Sequence, residues 1–190
     1  METFKQHLDK FININDEEFT SVLSFFQVLE VKKKQDLMSE GEICRSLFFV
    51  VKGCVRKFFI NEKGIEQTTE FAIENWWITD TFAFERQMKS DFSIQSVEKS
   101  IILKIDFQSQ KALLEKHPVM ERYFRMVYQR AYAAAERRIR YLYEFSREEL
   151  YLHFSTHYPW FIQRIPQYLI ASFLGFTPEY LSEIRAKLRS

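Results

Sequence analysis

The hydrophobic period of this chain changes once, after Phe107, and that change divides it into a strand-rich part and a helical part. From about Phe26 to Ile105, short runs rich in β-branched and aromatic residues succeed one another: QVLEVKK, SLFFVVKG, CVRKFFI, EQTTEFAI, FSIQSVEK and SIILKI. Turn signals at SEGE, KG, NEKG and EN separate them at intervals of about 8 to 12 residues, the spacing of a compact antiparallel sandwich or roll. Gly41, Gly53 and Gly64 all fall at these turns. Ahead of the strands, Asn15 precedes an acidic turn of Asp16, Glu17 and Glu18, and Phe19, Val22, Leu23 and Phe26 recur at helical spacing. This predicts a capped helix packed on the strand-rich part.

Beyond Phe107, SQKALLEKH reads as a short helix stopped by Pro118. VMERYFRMVYQRAYAAAERRIRYLYEF then offers about seven helical turns without glycine or proline. Met120, Phe124, Val127, Ala131, Ala134 (or Ala135), Arg138 and Leu142 step by three and four along it. A stripe so narrow, with small alanines at its middle, suits a partner helix better than a broad core, and predicts the seam of a symmetric homodimer. Arg122, Arg125, Arg130, Arg137 and Arg140 read as a solvated basic flank. Ser146, with Glu148 and Glu149, starts a further helix that ends at Pro159. The expected organisation is a sensor domain over 1–117, a long dimerising helix over 118–145 and a helical domain over 146–190.

The final segment, RIPQYLIASFLGFTPEYLSEIRAKLRS, begins at Arg164. Pro166 can open a helix in which Leu169, Ile170 and Phe173 share a face and Ala171 permits close packing. Gly175 ends it, Thr177 suits an N-cap, and Pro178 and Glu179 suit the first turn of a second helix. Leu181, Ile184 and Leu188 form the apolar side of that helix. Thr177, Pro178, Glu179, Tyr180, Ser182, Glu183, Arg185, Lys187 and Arg189 are left to face outward. Two short helices around one glycine, the second with a polar outer face, have the form of a DNA-reading helix-turn-helix; taken alone, helix–Gly–helix also describes an ordinary helical hairpin, and the place after a dimer helix at the chain end favours the first.

Several function classes find no support. Cys44 and Cys54 are too few for a disulfide framework and stand in no Cys/His grouping that holds zinc or an iron–sulfur cluster. Neither an export signal nor an apolar run long enough to span a bilayer is read, so a cytoplasmic protein with no membrane association is expected. His153 and His157 lie four apart on a helix but lack a third ligand, and no metal or other cofactor is predicted. No phosphate loop or nucleophile elbow is present, so the chain is read as a non-enzyme. Twenty-seven Lys and Arg stand against 26 Asp and Glu, a net charge of +1, so the case for DNA rests on local arrangement.

LMSEGEICRSLFFVVKGCVRKFFINEKGIEQ is similar to the β-roll of cyclic-nucleotide-binding domains, and IPQYLIASFLGFTPEYLSEIRAKL looks like the helix-turn-helix of the same proteins. The whole chain thus resembles the Crp/Fnr superfamily of regulators, in particular its short members typical of the Bacteroidetes. The resemblance implies an α+β chain with a jelly-roll-like, double-stranded β-helix sensor and flanking helices. It also implies a homodimer that presents two reading helices to a pseudo-palindromic operator, alters RNA polymerase recruitment and answers to an unknown small-molecule effector.

The match departs from the cyclic-AMP receptors at the phosphate cassette, WWITDTFAFERQMKSDFSIQS. Thr79 and Asp80 stand where Gly-Glu would, and Ser90 and Asp91 where Arg-Ser would. An aspartate there repels a cyclic phosphate, so cyclic-nucleotide binding is expected to be lost, unless Arg86 or Lys89 supplies the cation. Trp77, Thr79, Asp80, Phe82, Phe84, Ser90 and Asp91 make up the candidate pocket. Its aromatic residues, with Trp76, either fill the former cavity as core or line one for an apolar ligand. On the reading helix, Pro178 and Glu183 replace the receptors' two guanine-reading arginines while Glu179 matches their glutamate, so a different operator is expected. Arg185, Lys187 and Arg189 are assigned to phosphates. The end at Ser190 is read as leaving no room for a β-hairpin wing. The alternative is a ligand-binding module that acts through protein contacts without DNA.

Overall fold

The computed structural model describes residues 1–188 and falls into two compact units. Met1–Phe59 and Thr69–Tyr128 form the first; Ile60–Thr68 and the chain from Gln129 onward form the second. Arg189, assigned to the reading surface, lies outside the described residues.

The strands, in chain order, are β1 (Gln27–Val31), β2 (Asp36–Met38), β3 (Ser46–Lys52), β4 (Val55–Ile60), β5 (Glu66–Ala72), β6 (Trp77–Ile78), β7 (Ser93–Ser96) and β8 (Ser100–Asp106). They form two four-stranded sheets, ordered β1-β8-β3-β6 and β2-β7-β4-β5. Antiparallel pairing sets Gln27 opposite Lys104 and Val31 opposite Ser100 in one sheet, and Val55 opposite Ser96 in the other. This is a jelly-roll-like double sheet. In β3 every residue from Ser46 to Val51 is buried, which explains why SLFFVV is a continuous apolar run and does not alternate. Gly53 turns the chain at φ +107, and a Cβ there would lie 2.1 Å from Ser100 Oγ, so both conformation and space demand glycine.

Helices α1 (Glu2–Leu8), α2 (Asp16–Leu23), α3 (Thr81–Arg86) and α4 (Phe107–Lys116) complete the first unit with the opening turns of α5 (Val119–Glu144). The expected cap of α2 is present as a reciprocal box: Asn15 accepts from Glu18 N–H at 2.9 Å, and Glu18 accepts from Asn15 N–H at 3.0 Å. The sequence reading had no α1, α3, β2 or β6; each is seven residues or fewer, too short to show a period. Yet α1 anchors the core, where the Phe4 ring lies 4.8 Å from Phe49 and 5.2 Å from Phe26. Tyr123 is fully buried beside it, its hydroxyl accepting from Trp77 Nε1 at 2.8 Å and lying 2.8 Å from His7 Nδ1. Burial pushes the Tyr123 phenol well above its ordinary pKa, so it stays neutral.

In the second unit, α6 (Arg147–His157), α7 (Pro159–Arg164), α8 (Gln167–Leu174) and α9 (Pro178–Lys187) come after the later turns of α5. Ser146 and Glu149 form the capping box of α6. Pro159 ends α6 as expected, but it also opens α7 as its first residue, a helix the sequence reading lacked. Tyr151, Phe161, Leu169, Ile170, Leu174, Leu181 and Ile184 are buried. Among the described residues, no helix is long and apolar enough to cross a membrane.

Candidate nucleic-acid interface and sensor site

The helix pair at the end of the second unit is built by local chemistry. Gly175 takes φ +76 after α8, and Phe176 N–H returns to Ala171 O at 2.8 Å, closing the helix in a left-handed cap. Thr177 then caps α9, its hydroxyl accepting from Tyr180 N–H at 3.2 Å, with Pro178 as the first helical residue. Leu181 and Ile184 turn inward at 1% exposure, while Thr177, Pro178, Glu179, Ser182, Glu183 and Lys187 are exposed. Leu188, expected on the apolar side, is half exposed.

Some outward residues already have partners. Tyr180 is partly buried, its ring edge-on to Phe176 at 5.6 Å and 5.5 Å from the Arg147 guanidinium. Lys187 pairs with Glu148 at 3.2 Å, which raises the pKa of the ammonium. The Ser182 hydroxyl donates to Pro178 O at 3.0 Å. Arg185 borders an open cleft of about 300 Å³ with Tyr151, Leu152, Ser155 and Leu188.

Along α5 the expected stripe needs correction. Met120 and Phe124 are buried in the core of the first unit, with the Phe124 ring 5.3 Å from Trp77, and Val127 packs partly against that core. They cannot face a second copy without exposing apolar area the core has removed from water. Arg138 is likewise engaged, its guanidinium 3.9 Å from the Phe173 ring and donating to Phe173 O at 2.9 Å. Ala131, Ala134 and Leu142 are exposed. The exposed apolar row runs through Tyr128, Tyr132, Ala135, Ile139 and Leu142, spaced 4, 3, 4 and 3, a heptad pattern with Tyr143 beside it.

The roll brings Thr79, Asp80 and Ser90 together and buries all three. Asp80 caps α3, its Oδ1 accepting from Ala83 N–H at 3.1 Å, and its Oδ2 lies 2.9 Å from the Ser90 hydroxyl. The Thr79 hydroxyl donates to Ser46 O at 2.9 Å, with Cys44 Sγ 3.3 Å away. Burial raises the pKa of the Cys44 thiol. A cation that reaches this region is Lys57, which donates to Thr79 O at 3.0 Å and pairs with Glu70 at 2.7 Å. Sequence reasoning named Arg86 and Lys89 and missed it. Alternation along β4 was the available signal, since Val55, Lys57 and Phe59 share a face. Arg86 instead covers the exposed Phe82 ring at 4.3 Å. Asp91 is exposed, Phe84 belongs to the core, and Trp77 packs half-buried against it. Thr79, Asp80 and Ser90 thus all have hydrogen-bond partners within the roll.

His153 and His157 lie in tilted ring contact with centroids 4.1 Å apart, and Tyr141 at 4.5 Å and Phe145 at 5.0 Å from His153 extend the cluster. His157 Nδ1 lies 2.8 Å from His153 O. Among the described residues no group of three or more His, Cys, Asp or Glu is placed to hold a metal.

Residues 28–117 match the family of the cyclic nucleotide-binding domain. Among solved structures, the chain is similar to FixK2 from Bradyrhizobium japonicum, with TM-score 0.70 and 16% identity over 86% of this chain and 84% of that one. A CooA mutant from Carboxydothermus hydrogenoformans gives TM-score 0.70 and 18% identity over 94% and 86%. The Thermus thermophilus catabolite activator protein gives 0.58 and 19% over 93% and 84%. No curated protein matches in sequence. At these identities the likeness is one of fold.

Proposed function

We propose that this chain is a homodimeric, sequence-specific DNA-binding transcription regulator of the Crp/Fnr type, acting in the cytoplasm without catalysis and without response to cyclic AMP. The observation that carries the reading is α9: one side is sealed into a helix pair by Leu181 and Ile184, and the other presents a largely polar face on which Thr177, Glu179, Ser182, Glu183 and Lys187 are exposed and Tyr180 and Arg185 partly so. Such a helix suits a major groove, with Glu179, Tyr180 and Ser182 toward base edges and Arg185 and Lys187 toward phosphates. The three functional parts are the roll, the long helix and the helix-turn-helix.

The dimer seam is assigned to Tyr128, Tyr132, Ala135, Ile139 and Leu142, with Ala131 and Ala134 alongside. A two-fold dimer places its two reading helices about 34 Å apart, one DNA turn. RNA polymerase is the partner such a regulator addresses. For the sensor, an anionic ligand would have to displace Glu70 from Lys57 and break the Asp80–Ser90 contact. A desolvated carboxylate at the cassette opposes a phosphate, which supports insensitivity to cyclic nucleotides.

The test is retention of genomic DNA fragments by the purified protein at low salt, followed by sequencing. A shared two-fold motif among the fragments is expected, with retention lost in Tyr180→Ala combined with Arg185→Ala. Wild-type protein that retains nothing, or a double variant that binds as wild type, refutes the reading.

A further inference from the structure

β5 stands last in its sheet, so its outer edge carries backbone groups with no strand beside them. Its chain also passes from one compact unit to the other between Thr68 and Thr69. Residues 60–68, the turn of the β4–β5 hairpin with the first residues of β5, belong to the same unit as α8. Within that unit Ser172 of α8 serves the edge. Its Oγ accepts from Thr68 N–H at 2.8 Å and donates to Glu66 O at 2.8 Å, with the Thr68 hydroxyl 3.3 Å away.

Residues two apart on a strand point their peptide groups to the same side, so Glu66 C=O and Thr68 N–H make one outward pair. A parallel neighbouring strand would bind that pair with its own N–H and C=O. Here one hydroxyl does both. Thr68 is 3% exposed, so its N–H would be costly to leave unbonded.

We infer that Ser172 is a latch that makes the β4–β5 hairpin an arm of the helix-turn-helix. Strands β4 and β5 continue into the roll through Phe59 and Thr69, so a change in the roll reaches α8 along this arm. The regulatory half of this inference rests on the DNA-binding reading; the latch itself does not. α8 is the first helix of the pair, and it packs against the helix that would enter the groove. Releasing the latch therefore changes how firmly α9 is held.

Hydrogen–deuterium exchange on the full-length protein tests the latch. In Ser172→Ala, peptides covering Thr68 should exchange on the order of tenfold faster, as expected for losing the hydroxyl that closes this edge. Peptides from β8 should keep wild-type rates, and Ser172→Thr, which keeps the hydroxyl, should keep the protection. Wild-type exchange at Thr68 in Ser172→Ala overturns the latch. So does equal deprotection in Ser172→Thr, or deprotection spread evenly to β8. DNA affinity is read separately on the same proteins, with a shift of at least about threefold expected for Ser172→Ala. An unchanged affinity overturns the regulatory half, whereas wild-type protein that binds no DNA overturns the helix-turn-helix reading and leaves the exchange result standing.

Discussion

Asp80 caps α3 with one oxygen and meets Ser90 with the other, so a position aligned with a ligand cassette serves the fold. Asp80→Ala should therefore destabilise the protein by about 1–3 kcal/mol, read from urea denaturation, through loss of a cap and of the buried contact to the Ser90 hydroxyl. Calorimetry with cyclic AMP should give no heat in the wild type. Tight binding would show that Lys57 can leave Glu70 for a phosphate. Thr79, Asp80 and Ser90 were legible in the sequence because alignment to a known cassette points at them. Lys57 was not, because its partners Glu70 and Thr79 come from β5 and from the residue after β6, and only tertiary packing brings them within 3.0 Å.

Helix α5 shows how one element can answer to two environments. Its first turns are held by the roll core, and its later turns leave an exposed apolar row. In the proposed dimer, Ile139→Glu would set two carboxylates against each other across the seam, and sedimentation should then show a monomer with the fold intact. Phe124→Ala should instead cost about 3–5 kcal/mol of fold stability and leave the proposed dimer's sedimentation unchanged at low temperature. The reverse pattern would restore the original stripe. At the α5–α6 corner, burial and the neighbouring His157 lower the pKa of His153, against a smaller opposing effect of Glu144. The folded state then holds fewer protons than the unfolded state as pH falls through the ordinary histidine range, so stability present above about pH 6.5 is lost below it. Thermal midpoints between pH 7.5 and 5.5 should fall more steeply for the wild type than for His153→Gln. Parallel curves would show that the cluster does not sense protons.

For the molecule as a whole, a net charge of +1 gives DNA no general attraction, so the proposed DNA binding would have to come from a few placed cations. Lys187→Gln should lower the salt dependence of binding by about 2 in log–log slope for a dimer, roughly 0.9 for each phosphate deprived of its cation. An unchanged slope would assign Lys187 to Glu148 alone. Capping residues, turn glycines, the change of period and the outward face of α9 were readable from the chain, since each depends on neighbours within a turn or two. Asn15, Ser146, Gly175 and Thr177 do locally what their residue types favour. Which side of α5 is sealed, which cation faces the cassette and what occupies the edge of β5 were settled by partners far along the chain. Ser172 meets residues 104 and 106 positions away, and Tyr123 lies 116 from His7. A periodic pattern states that a face is apolar, but burial depends on what arrives to cover it, and only tertiary packing supplies that.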